Sequence, residues 1–435
     1  MAELKSIVAR EILDSRGFPT LEVDVILSSG LVGRASVPSG ASKGSHEALE
    51  LRDGGPRYGG KGVRKAIAQV AEISTALREH DVRYQKGIDD KLIALDGTPD
   101  KSRLGANTLL AVSIACARAA AQAVHRPLFE YLQNDPESNP AACLPLPLIN
   151  IINGGAHANN GLDIQEFMIV PVGAPCFAEA LRYASEVFHA LKALLSAKGL
   201  STAVGDEGGF APLLQSHEAA MDIILEAIHQ AGFKAGRDIA LALDLASTAF
   251  FEKGHYNLPL QKQRFSTDAW INYLQGLVRQ YPIISLEDAM AEEDWEGWKA
   301  LTEALGTALQ LVGDDLFVTD CHRLSRGISE KSANAVLIKP NQIGTLSETR
   351  AAIEMAKAAS FETIISHRSG ETEDTFIADL TVACQVQQIK TGSVSRGERT
   401  AKYNQLLRIE EMLGKNASFA GWLPFKKFKQ HDALS

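Results

Sequence analysis

Hydrophobic and polar positions alternate near the start of the chain. In "TLEVDVIL", ending at Leu27, the apolar residues Leu21, Val23, Val25 and Leu27 enclose Glu22 and Asp24. A period of two predicts a strand with one face in a core. "SSG" then leads into "LVGRASV", which predicts a hairpin. Val63, Ile67, Val70, Ser74 and Leu77 recur at helical spacing, and helical patterns continue to about residue 133. The proline-rich, polar segment "NDPESNPAACLPLPL" is expected to link this smaller α+β part to a larger second part.

The second part of the chain has another rhythm. Short apolar runs each end in a charged or polar residue, and an amphipathic helix comes after each. "IALALD" ends at Asp244, "IISLE" at Glu287, "LQLVGD" at Asp314, "NAVLIK" at Lys339, "ETIISH" at His367 and "QIK" at Lys390. In the helix "TLSETRAAIEMAKAAS", Leu346, Ile353 and Ala356 share one face. Fully apolar strands alternating with helices predict a parallel sheet covered on both sides. Units of this size predict a (β/α) barrel, whose C-terminal strand ends converge on one mouth. The fold class expected is therefore α/β: a barrel preceded by a smaller α+β capping domain. We place the cap at residues 1–137, the barrel at 138–420 and a tail at 421–435.

If the mouth forms, the six strand-end residues share one site. Asp244, Glu287 and Asp314 offer oxygen ligands alone, which suits a hard cation such as Mg²⁺. Lys339 and Lys390 beside each other should disfavour the ammonium form of one of them, leaving a usable base. Such a set suits removal of a weakly acidic proton next to a carboxylate. "VGDEGGF" places Glu207 on a glycine loop, where an acid could protonate a departing hydroxide, and "DIQEFM" supplies Glu166 beside Gln165. Different burial of Glu166 and Glu207 would split them into acid and helper. Arg368 and Ser369 in "SHRSGE" suit a phosphate. "VPSGASKG" (37–44) reads as a glycine-hinged lid, and "NGGAHANNG" as a second loop carrying His157.

Composition narrows the partners. The 435 residues are 45% hydrophobic and carry a formal net charge of −9, which argues against a nucleic-acid binder that works by phosphate neutralisation. No run reads as a membrane span, and the start of the chain lacks the layout of a secretion signal. Five scattered cysteines without a CxxC pair read as reduced thiols in a cytoplasmic protein.

Taken together, "LDSRGFPTLEVDV", "VPSGASKG", "NIINGGAHANN", "DIQEFM", "AVGDEGGFAP", "SLED", "GDDLFVT", "LIKPNQIGTLSET", "SHRSGETEDTFIADL", "QIKTG" and "KYNQLLRIEEMLG" resemble the enolase family, in family order from about residue 4 to 420. The resemblance implies reversible dehydration of 2-phosphoglycerate to phosphoenolpyruvate in glycolysis and gluconeogenesis, and a barrel of modified order, ββαα(βα)₆. It implies that Asp244, Glu287 and Asp314 bind a first Mg²⁺ and that Ser42 helps bind a second one arriving with substrate. It makes Lys339 the base and Glu207 the acid, with Glu166 assisting. Lys390 supports the enolate, and Arg368 and Ser369 hold the phosphate. His157 and Gln165 close over the substrate, and His367 stands near it. A homo-oligomer, dimer or octamer, is implied as well, and some relatives are displayed on cell surfaces or join other proteins.

Departures from the family pattern concern Lys43 (usually Thr), Ser45, Ala156 (usually Ser), Ala249 (usually Glu) and Ala289. Lys43 is expected to add a cation near the phosphate and the metal. The lysine-bearing tail "WLPFKKFKQHDALS" is read as solvated. Two alternatives compete with this reading. Acid-sugar dehydratases and cycloisomerases of the superfamily share the three carboxylates but generally lack "GDEGGF" and "SHRSGE". A binding protein on the same scaffold would not need the intact set of catalytic groups.

Overall fold

The structure, a computed structural model, describes residues 2–133 and 142–428. The cap begins with an antiparallel sheet in the order β1 (Leu4–Leu13), β2 (Pro19–Leu27), β3 (Val32–Ser36). Leu21, Val23, Val25 and Leu27 are fully buried, as the alternation predicts. They face the helix layer: α3 (Ala106–Ala123) packs on β2 and β3, α1 (Arg64–Ala76) on β1, and α2 (Gln85–Asp96) on α3. The opposite face of β2 is covered too. Asp24 accepts from Arg34 Nε at 2.7 Å and pairs with Arg10, which also bonds Glu22.

Eight strands close the barrel. In chain order these are β4 (Leu146–Asn153), β5 (Glu166–Val170), β6 (Ala240–Asp244), β7 (Ile283–Glu287), β8 (Gln310–Gly313), β9 (Ala335–Ile338), β10 (Glu362–Ser366) and β11 (Gln388–Lys390). Two helices, α4 (Phe177–Ala197) and α5 (His217–Gln230), separate β5 from β6, and a helix follows each later strand. This is the ββαα(βα)₆ order. β5 pairs antiparallel with both β4 and β6, and the other pairs are parallel. The reversal has a functional consequence. The first residue of β5, Glu166, lies at the same mouth as the last residues of the parallel strands.

The expected division at 137/138 lies outside the described residues. The proline-rich stretch is not all linker, because from Leu146 it is barrel strand. Pro147 is tolerated there because antiparallel pairing with β5 starts only at Ile149. The segment read as a solvated tail behaves differently as far as it is described. Phe425 and Phe428 are buried with Leu146, Met168, Val170, Ala242 and Ile284, closing the barrel at the end away from the mouth. Its last residues, 429–435, lie outside the described part.

Candidate active site

Strand register lines up the acids. Asn153 pairs with Glu166, Glu166 with Asp244, and Asp244 with Glu287, so four neighbouring strands present these side chains in one row. The strand bordering that row, β11, which pairs with β4, supplies Lys390. Its Nζ lies 2.9 Å from Glu166 Oε2, 3.1 Å from Asp244 Oδ2 and 2.9 Å from Glu287 Oε1. Lys339, just after β9, is bonded to Asp314, just after β8. One cavity is lined by Ser42, His157, Gln165, Glu166, Glu207, Asp244, Lys339, His367, Arg368, Ser369 and Lys390. Glu287 and Asp314 adjoin it through the two lysines. All thirteen residues singled out in the sequence thus meet at the mouth.

The lysines differ from expectation. Burial pushes both ammonium groups down. Asp244, Glu166 and Glu287 nevertheless lift Lys390 well above its ordinary value, and Asp314 lifts Lys339. Each amine lies closer to its carboxylates than the two amines' mutual repulsion can offset, so both are held charged.

Glycines shape the loop that carries Glu207. Gly208 has φ +88°, and a Cβ on Gly209 would sit 2.8 Å from Asn150 Oδ1. Without those side chains Glu207 settles against Asn150, whose Nδ2 donates to Glu207 Oε2 at 3.0 Å. Glu166 and Glu207 are equally buried, at 1% and 3% exposure, so burial does not separate them. Charge does. Burial and the neighbouring Glu207 push Glu166 well up. Burial also acts upward on Glu207, but His157, His367 and Arg399 draw it well below the usual carboxylate range. Both imidazoles are themselves lowered by burial, His367 to about 3. Their nitrogens stand 3.4 to 3.7 Å from the carboxylates, close enough to polarise them. Of the two acids, Glu166 is the better proton holder.

The anion side is already engaged. The Arg368 guanidinium grips Glu47 with both terminal nitrogens, at 2.9 and 3.0 Å, and donates to the Ser42 carbonyl at 3.0 Å. Ser369 Oγ accepts from the Ala41 N–H at 2.6 Å. These bonds dock the 37–44 segment on the mouth, with the Ser42 side chain at its exposed rim. Lys43 points elsewhere. Its Nζ bonds Glu50 at 2.9 Å in an exposed position, so the expected extra cation beside the phosphate does not materialise. Gln165 Nε2 donates to Asp244 Oδ2 at 3.3 Å.

Several contributors escaped the sequence reading. Arg399, fully buried in the helix Gly397–Leu413, donates to the carbonyls of Arg368, Ser369 and Asp206. It joins the Arg368 loop to the Glu207 loop. Asp288 accepts the backbone N–H groups of Asp314 and Asp315, both at 2.9 Å, and so orients Asp314. Asn150 and Asp288 lie at the edges of the quoted motifs "NIINGGAHANN" and "SLED" without being singled out there, and Glu47 carries no motif signal. Buried polar partners of this kind show no periodicity by which a sequence could reveal them.

Ligand atoms within 4.8 Å of one another occur in two groups among the described residues: His157 with Glu166 and Glu207, and Asp288 with Asp314 and Asp315. In the expected trio, Lys390 bridges Asp244 and Glu287, and Asp314 pairs separately with Lys339. Its donor chemistry still fits a hard cation, because Asp244 and Glu287 are cross-strand partners and all its atoms are oxygens. The five cysteines are free thiols. No helix among the described residues is long and apolar enough to cross a membrane.

Two family models match the chain. "Enolase, N-terminal domain" covers residues 4–132, and "Enolase, C-terminal TIM barrel domain" covers residues 141–428. A curated protein named "Enolase" from Acidothermus cellulolyticus is 57% identical over 429 residues, spanning 98% of this chain and 99% of that protein. A barrel of the reversed-strand order, its charged mouth and a match along nearly the whole length agree: the chain belongs to the enolase family.

Proposed function

We propose that the protein is a lyase, a phosphopyruvate hydratase, which dehydrates 2-phosphoglycerate reversibly to phosphoenolpyruvate in glycolysis and gluconeogenesis. The observation that carries this reading is the meeting of Lys339, Lys390, Glu166, Glu207 and Arg368 around one cavity with the three oxygen ligands beside it. Mg²⁺ held by Asp244, Glu287 and Asp314, with a second ion assisted by Ser42, would supply positive charge to the substrate carboxylate.

The chain's own groups do the rest. Arg368 and Ser369 take the phosphate. Lys339 serves as base only when neutral, so Asp314, which holds it charged, must first give up its ion pair. Removal of the α-proton leaves negative charge on the carboxylate oxygens, and the buried Lys390 ammonium faces that charge in a site of low dielectric. The proton of the Glu166–Glu207 pair then goes to the departing hydroxide through Glu207. His157, Gln165 and His367 line the remaining wall and exclude water. An adjacent-carboxylate proton is weakly acidic, which is why the site needs so many cationic groups.

A Mg²⁺-dependent assay with 2-phosphoglycerate, following the ultraviolet absorbance of the enol product, tests the proposal. Turnover of an acid sugar in place of 2-phosphoglycerate would overturn it. The same reading includes a homo-oligomer, dimer or octamer, acting in the cytoplasm. Sedimentation showing only single chains would remove that part.

A further inference from the structure

Every terminal N–H of Arg368 already has an acceptor. Nη1 donates to Glu47 Oε2 at 2.9 Å and to Asn341 Oδ1 at 3.2 Å. Nη2 donates to Glu47 Oε1 and to the Ser42 carbonyl, both at 3.0 Å. A guanidinium has five N–H donors, so only Nε–H is left over. The Arg368 and Glu47 side chains are 3% and 7% exposed, so the pair is desolvated. Its two parallel bonds have the fork geometry that arginine uses for phosphate as well as carboxylate. The lid backbone lies against the same group, because a Cβ on Gly40 would come within 2.0 Å of Nη2. A phosphate cannot take the fork of Arg368 while Glu47 holds it.

We propose that Glu47 is a specificity-determining residue: an internal carboxylate on the anion-binding face of Arg368 that a phosphate displaces and a simple carboxylate does not. This rests on Arg368 being the phosphate ligand. A monoanionic carboxylate brings the same charge and the same two oxygens as Glu47. It also loses translational freedom that Glu47, tethered in the chain, has already given up. A phosphate monoester carries a charge near −1.5 to −2 and three acceptor oxygens, so it outbids the internal anion. Displacement also frees the Gly40–Glu47 segment from its guanidinium, which links lid movement to the arrival of a phosphorylated ligand. Acids lacking a phosphate are thereby discriminated against before any chemistry begins.

The test titrates inorganic phosphate and acetate into the wild type, Glu47→Gln, Arg368→Met, Arg368→Lys and the Glu47→Gln, Arg368→Met double variant, with hydrogen exchange read over residues 40–48. Glu47→Gln keeps the shape and removes the charge. It should bind phosphate about tenfold tighter, the size expected for losing one competing charged hydrogen-bonded pair, and should gain measurable acetate binding. Phosphate should speed exchange of the lid amides in the wild type. Unchanged or weaker phosphate binding in Glu47→Gln would overturn the proposal and leave Glu47 as a support that orients Arg368. In the Arg368→Met background, Glu47→Gln should have no effect. If Arg368→Met and the conservative Arg368→Lys both leave wild-type phosphate affinity unchanged, Arg368 is not the phosphate ligand, and the assignment beneath the proposal is what fails.

Discussion

Lys390 Nζ lies 2.9 Å from both carboxylate oxygens of Glu287, which stands 103 positions earlier in the chain. The same ammonium is shared with Asp244 and Glu166. Lys390→Met leaves three buried carboxylates without that counter-charge. Breaking a buried pair costs about 3–5 kcal/mol, so the variant should melt well below the wild type in a chelator. Added Mg²⁺ should restore much of the loss, because the carboxylates can then share the ion. An equal loss of Tm with and without Mg²⁺ would mean that they do not hold it.

Lys339 and Glu207 occupy opposite parts of the cavity, and their proposed duties separate in isotope exchange. Lys339→Ala should stop exchange of the substrate's α-proton with solvent. Glu207→Gln should keep that exchange and block dehydration. Absence of exchange in Glu207→Gln would reverse the assigned roles.

Asn150 donates one hydrogen bond to Glu207, at 3.0 Å, and such a bond favours the ionised form. Asn150→Leu removes the donor, so Glu207 should bind its proton more tightly. The limb of the kcat/KM pH profile governed by the Glu166–Glu207 pair should move to higher pH. Gly209→Ala should shift the same limb, because its new Cβ would crowd Asn150 Oδ1. It should also cost about 1–3 kcal/mol of stability through overpacking. A profile identical to wild type in both variants would sink the link.

Asp379, buried beside Arg118 and Gln405, is pushed up to about 6 by burial, against an ordinary value of 3.8. A carboxyl whose folded pKa is raised favours the fold at low pH. That contribution is full below about 3.8 and is lost as pH rises through about 6. Asp379→Asn should therefore lose less stability between pH 4 and pH 7 than the wild type, by about 2–3 kcal/mol. Tm measured across that range checks it, and parallel curves for the two proteins would refute it.

Phe425 plugs the end of the barrel away from the mouth and is 1% exposed. Phe425→Ala should destabilise the fold by about 3–5 kcal/mol and leave KM unaltered in the molecules that remain folded. A melting temperature equal to wild type would show that the segment contributes no packing.

Periodicity made the elements legible. The alternation of Leu21 to Leu27, the spacing of Leu346, Ile353 and Ala356, and the apolar runs ending at Asp244 to Lys390 all rest on local physics, because each residue's face follows from its neighbours in the chain. The polar ends of those runs also marked the mouth, since a charged residue closing an apolar strand has to leave the core there. Tertiary structure decided what those charges do to one another. The lysines are held charged, Glu166 is the proton holder, Glu47 occupies Arg368, and Arg399 ties two loops together. Phe425 seals the barrel floor where a solvated tail was expected. Each of these depends on distances between residues far apart in sequence and on a shared low dielectric. Coulomb energy and desolvation vary with those distances, and no local pattern of residues encodes them.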